Sequence, residues 1–240
     1  MDGYLEYDLS DVIIGRPYTF RVGRKQFSLY PVTLAKMYLL KRQVEELSIN
    51  QTTLILNPYL EALRLVKSNR EVCCSILAYH TAPNDKKSLF DQRSITIRKN
   101  YFINELEDGD LASMMILVLT ADKTDKFVKH FGMDVEKERM LKVLAVKNKH
   151  NKNTMTFNGR TIFGTFIAQL KEMGYSDDEI LYERGYTYLQ LMLQDKVVTL
   201  HLSDEEMRDI PTTDGGQMLD ANNPDSAKKI IDMFANRGVK

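Results

Sequence analysis

Apolar residues recur at three- and four-residue intervals along most of this chain, and only one short stretch near its start alternates them with polar ones. The densest helical pattern runs from Gly159 to Ile210. Ile162, Phe163, Phe166, Ile167, Leu170 and Met173 fall on one side of a first helix. Gly174 follows, where a left-handed closing residue costs least. Ser176 with Glu179 has the spacing of a capping box, in which hydroxyl and carboxylate satisfy free N–H groups of the first turn. A short second helix should hold Ile180 and Leu181 and end at Gly185. A third should begin near Thr187 and carry Tyr188, Leu189, Leu191, Met192 and Leu193. Ser203 with Glu206 repeats the capping spacing, and Pro211 ends the helix begun there.

The N-terminal pattern is different. Tyr18, Phe20 and Val22 alternate with polar residues, Gly23-Arg24-Lys25 intervenes, and Phe27 and Leu29 alternate again, which predicts a β-hairpin with one apolar face. Val12 to Ile14 would add a short strand. Pro31 suits the first turn of a helix whose stripe is Leu34, Met37, Leu40, Val44 and Leu47. Asn57-Pro58 starts another with Leu60, Leu63 and Val66, and a continuation from Asn69 carries Val72, Cys73, Ile76 and Leu77. Residues 84–93 read as a polar loop, and 94–106 fits either period. Leu111, Met114, Met115, Val118 and Leu119 form a stripe, with Ile116 and Leu117 outside it, so that helix should be buried all round. Asp134 would cap a helix through Met140, Leu141, Leu144 and Val146, and 147–153 reads as a linker. The expected fold is mainly α with a small N-terminal β-hairpin, an α+β arrangement. Residues 1–150 would form an N-terminal unit of hairpin plus helices, and 151–210 a helical module. Residues 211–240 would be a mobile tail with a short terminal helix through Ile230, Ile231 and Phe234.

Composition narrows the function. The chain has 240 residues, 43% of them hydrophobic and 28% charged, and a formal net charge of +0. Such a balance gives no global attraction to nucleic acid or to an anionic membrane. The exception is 123–152, where nine Lys or Arg stand against four acidic residues. A solvated helix face accounts for such interleaved charge better than a phosphate-binding surface does, since only Phe127 and Phe131 could stack on bases. The two cysteines, Cys73 and Cys74, are adjacent, which suits small residues in a buried helix and a reducing compartment. The first residues are acidic and lack an apolar segment, and the longest apolar run, Met114 to Leu119, is too short to span a bilayer. A cytoplasmic location is the expectation.

No catalytic arrangement is legible. His80, His130, His150 and His201 stand apart, without a second ligand at metal-like spacing. His80, beside Tyr79, reads as a structural histidine with its hydrogen bonds satisfied. Gly159-Arg160-Thr161 lacks the second glycine and lysine of a phosphate loop. Asp177, Asp178 and Glu179 favour a helix start without any metal. A non-enzyme with no cofactor and no metal is expected. The remaining candidate is a partner-binding surface on the helical module. Six aromatic residues lie between Phe163 and Tyr188, with Met173 and Met192 as adaptable neighbours. The expected partner-binding residues are Phe163, Phe166, Tyr182, Tyr186, Tyr188, Leu189 and Met192, forming a groove for an apolar helix.

These residues also resemble a known family. Thr161-Ile162-Phe163-Gly164, Leu170, Gly174-Tyr175, the acidic helix start, Tyr186, Leu189-Gln190-Leu191-Met192, Asp195 and Leu202 to Glu206 are similar to the C-terminal region of tail assembly chaperones of tailed bacteriophages and prophages. The run from Phe20 to Leu29, followed by Pro31-Val32-Thr33-Leu34, resembles the way such proteins begin. Residues 50–155 carry none of the likeness. The resemblance implies a helper that covers apolar helical segments of the tape measure protein in the host cytoplasm and helps recruit tail tube subunits. No membrane partner is expected from the short apolar runs, nucleic acid is not the expected partner, and a homo-oligomer is allowed. The alternative is a structural virion or nucleic-acid-associated protein using 123–152.

Overall fold

Tyr18–Val22 (β1) and Lys25–Leu29 (β2) pair antiparallel, with Phe20 opposite Phe27 and Val22 opposite Lys25. The register leaves Gly23 and Arg24 as the turn, and Gly23 takes a φ of +54° that a side chain would oppose. Residues 3–150 and 159–210 are described in this structure, a computed structural model. It is mainly helical around that hairpin, as the sequence predicts.

A helix, α1 (Gly3–Ile14), precedes the hairpin. Val12 to Ile14 is its last turn and not a strand. The stop signal is Gly15, at φ +63°, with the Arg16 N–H donating back to the Asp11 carbonyl at 2.9 Å. Thr33 caps α2 (Leu34–Glu46), so Pro31 lies ahead of the cap and not inside the first turn. Asn50 caps α3 (Gln51–Leu56), and Asn57 caps α4 (Pro58–His80). At Asn69 the backbone of α4 leaves helical geometry (φ −142°, ψ 51°), at the residue where the sequence suggests a restart. The stretch expected as a loop contains α5 (Lys86–Phe90) and the start of α6 (Gln92–Glu105). Asp85 and Asp91 each accept a backbone N–H three residues on, so polar residues there cap helices. Next come α7 (Asp108–Leu119), α8 (Thr124–His130) and α9 (Met133–His150). Residues 147–150, expected in a linker, are the last turn of α9, and 151–153 lie outside the described residues.

The main core forms where α4 meets α6 and α7. Ala62, Leu65, Val66, Cys73, Ile76 and Leu77 of α4 are buried, while Leu60 is exposed, so the buried stripe is turned from the expected one. Leu111, Ala112 and Met115 of α7 are buried, but Leu117 reaches solvent, and α7 is not enclosed on every side.

Beyond residue 158 a π-helical turn (Phe163–Ile167) runs into α10 (Ala168–Glu172), ended by Gly174 at φ +95°. Ser176 and Glu179 make the expected reciprocal cap ahead of a second π-helical turn (Glu179–Glu183). Then come α11 (Tyr186–Gln194) and α12 (Asp204–Asp209), the latter with a complete Ser203–Glu206 capping box. The contacts divide the chain differently from its composition. One compact unit comprises Met1–Lys137 with Thr156–Val198, and the other Glu138–Met155 with Thr199–Lys240. Most of the helical module is therefore continuous with the N-terminal elements. The joining residue is Leu34 of α2, 1% exposed, which completes a second core with Phe166, Leu170, Ile180 and Leu189. In the other unit, Lys147 Nζ donates to the His201 carbonyl at 2.7 Å, and His150 Nε2 lies 2.9 Å from Asp209. The expected tail, 211–240, lies outside the described residues.

A basic side chain of α2 sits inside the first unit, which nothing in the local sequence announces. Lys36 is fully buried, and its ammonium group donates to the carbonyls of Ala82 at 2.9 Å and His80 at 3.4 Å, just beyond the last turn of α4. Burial, reinforced by the charge of Arg98 and opposed by Asp85, lowers its pKa to about 7. The unfolded chain therefore holds a proton on Lys36 that the folded chain has lost between about pH 7 and 10.5. Stability contributed by this group rises with pH through that window. Denaturant titrations should show that rise in the wild type, on the order of a few kcal/mol, and show it flattened in Lys36→Met. Leu34→Ala, which opens a cavity in the second core, should cost about 2–5 kcal/mol by the same measurement.

Candidate functional site

The segment from Pro31 to Leu34 and the start of α11 are laced together by backbone. Tyr186 N–H donates to the Val32 carbonyl at 2.6 Å, and Thr33 and Gly185 form an isolated antiparallel bridge. Gly185 permits that approach, since a Cβ there would stand 3.2 Å from the Pro31 Cβ. The second core beneath fixes the module's aromatic residues in distinct roles. Phe166 and Leu189 are buried in it, and Phe166 packs on Tyr186 with ring centroids 5.6 Å apart. Those two expected contact residues therefore support the surface and do not form it. Tyr182 turns the other way, edge-on to Phe90 at 6.5 Å and against the main core. Met192 is half-buried, and Phe163 is 71% exposed. The seven residues do not line one groove.

Tyr186 and Tyr188 instead open onto a cleft of about 400 Å³ within the first unit. Tyr188 is held from two sides. Its hydroxyl lies 3.1 Å from that of Tyr175, and the Arg184 guanidinium sits 5.6 Å from its ring centre. Burial and the Tyr188 neighbour push the Tyr175 phenol up to about 12, so it stays protonated at neutral pH. The last turns of α1 and α7, the exit of β2 and His80 at the end of α4 supply the other walls. The rim is charged. Lys123 pairs with Asp8 at 2.6 Å and Arg16 with Asp11 at 3.2 Å. Asp122 accepts from the Thr124 N–H at 2.9 Å and from the Thr124 hydroxyl at 2.6 Å.

His80 lines this cleft while only 4% exposed, and among the described residues nothing hydrogen-bonds its ring. Burial, with the nearby Lys36, lowers its pKa to about 3, so the imidazole is neutral. The sequence offered no sign of this cleft, because its walls come from five separated segments. The alternation at Tyr18 and the Pro31-Val32-Thr33-Leu34 run marked two of them only as structure.

Among the described residues no three His, Cys, Asp or Glu side chains gather as a metal-binding group. The cysteine thiols are buried in α4, and burial raises Cys73 to about 12 and Cys74 to about 11. Such thiols are poor nucleophiles. No helix among the described residues is long and apolar enough to cross a membrane. Comparison with protein-family models, curated proteins and solved structures finds no match to this chain. The native protein should release no chromophore from a thiol-exchange reagent over minutes at mild alkaline pH, and two equivalents once unfolded in guanidinium. A fast native phase would show that α4 opens.

Proposed function

We propose that this chain is a non-enzymatic tail assembly chaperone, which covers apolar helical segments of the tape measure protein and helps recruit tail tube subunits. The observation that carries the reading is the sorting of the module's aromatic residues. Phe166 and Leu189 anchor a closed core, while Phe163 projects into solvent and Tyr186 and Tyr188 face a cleft. A rigid base with partly uncovered aromatic and Met side chains can hold apolar helices without demanding one sequence. Ile55, Leu56, Tyr59 and Leu60, exposed together where α3 meets α4, add uncovered apolar area. Repeated weak contacts along a long client would give high occupancy yet permit displacement by tube subunits.

The alternative reading, a virion or nucleic-acid-associated protein using 123–152, is less well supported. Lys123 is paired with Asp8, Lys149 lies 3.7 Å from Asp209 and Lys147 is engaged by a backbone carbonyl. Two of the surplus charges are thereby met by carboxylates from outside the stretch.

Co-expression tests the proposal. The wild-type chain should keep the tape measure protein in the soluble fraction, and Phe163→Asp combined with Met192→Asp should reduce that yield several-fold. Both side chains lie outside the buried core, so circular dichroism should stay unchanged. Undiminished client solubility with the folded double variant would remove this surface from the function.

A further inference from the structure

The cleft beside α11 is more selective than an apolar groove. Its aliphatic lining, including Val12, Val32 and Met37, leads to groups that favour positive charge. The last turns of α1 and α7 both contribute to its wall, and helix C-termini carry partial negative charge. Asp8, Asp11 and Asp122 line it as well, against Arg16 and Lys123. Both of those cations are already ion-paired, whereas Asp122 receives only N–H and hydroxyl donors among the described residues. The negative end of α4 is separately met by Lys36 and Arg98, so its dipole adds little to the balance. His80 supplies the second and independent sign of a guest. Its buried ring, uncharged and without a hydrogen-bond partner among the described residues, offers a lone pair to a donor entering the cleft. Tyr30, Tyr186 and Tyr188 add aromatic lining.

We infer that the cleft receives an arginine or lysine side chain of a partner polypeptide, its aliphatic stem against Val12, Val32 and Met37 and its charged end toward Asp122 and His80. This rests on the reading of the cleft as a polypeptide-binding site, and it adds the chemistry of the bound residue. A volume of about 400 Å³ accommodates such a side chain with part of its backbone. The client segment would then carry a basic residue among apolar ones, and a purely apolar segment would leave the Asp122 charge unmatched and the His80 ring without a hydrogen-bond partner.

Fluorescence anisotropy with labelled peptides tests this. One short peptide of leucine, alanine and arginine is compared with versions carrying glutamine or glutamate at the arginine positions. The arginine peptide should bind at least about tenfold more tightly than either, a difference of about 1.4 kcal/mol. Asp122→Asn keeps an oxygen for Thr124 and removes the charge. It should lower the affinity of the arginine peptide to that of the glutamine peptide while leaving the circular dichroism spectrum unchanged. Equal affinity for all three peptides would overturn the inference and leave the polypeptide-binding reading standing, as would undiminished arginine binding by folded Asp122→Asn. If none of the peptides binds, both readings fall.

Discussion

The end of α4 is buried, and the fold is assembled around the need to satisfy its carbonyl groups. A helix terminus leaves acceptors without internal partners, and burying them unpaired costs more than most single contacts return. Three elements bring donors to this point. The Tyr30 N–H, at the exit of β2, reaches the His80 carbonyl at 3.0 Å, Lys36 of α2 reaches His80 and Ala82, and Arg98 of α6 reaches Thr81. Thr81 closes the set by donating its hydroxyl to Leu77 and Ala78. Hairpin, α2 and α6 are thus fixed relative to α4 by polar contacts as well as by apolar packing. A buried amine whose pKa has fallen to about 7 is the cost of that arrangement.

From that junction the second core follows. With Lys36 anchored, Leu34 two residues earlier is directed into the module, where Phe166, Leu170, Ile180 and Leu189 close around it. The same short segment supplies Val32 and Thr33 as backbone partners for Gly185 and Tyr186. One stretch of chain therefore seats the module, shapes the cleft and positions His80 beside it. The cleft inherits its rigidity from contacts that serve the core.

What the sequence disclosed was local. The hairpin, the caps at Ser176 and Ser203, the break at Asn69 and the closing Gly174 are each specified by a few adjacent residues, and each is present. The errors arose where a distant neighbour decides. Val12 to Ile14 has β-branched residues, but Gly15 and the preceding turns make it the end of a helix. Ile95 and Phe102 are the buried pair of α6, while Ile97 between them is exposed, which only knowledge of α4 could sort. Nothing near Lys36 in sequence announces the carbonyls it meets. Phe166 and Phe163 are three residues apart with opposite fates, and the π-helical turn that joins them leaves no clear compositional mark.

The bend of α4 at Asn69 has a mechanical consequence. An unbroken helix of 23 residues would be a stiff strut about 35 Å long, passing any push at one end to the other. Here the backbone leaves helical geometry midway, and Arg70 braces the second half against Asp108 and the carbonyls of Ile103 and Leu106. A load taken up at the apolar corner formed by Ile55, Leu56, Tyr59 and Leu60 would meet that bend before it reached the far half, which carries His80 at its tip.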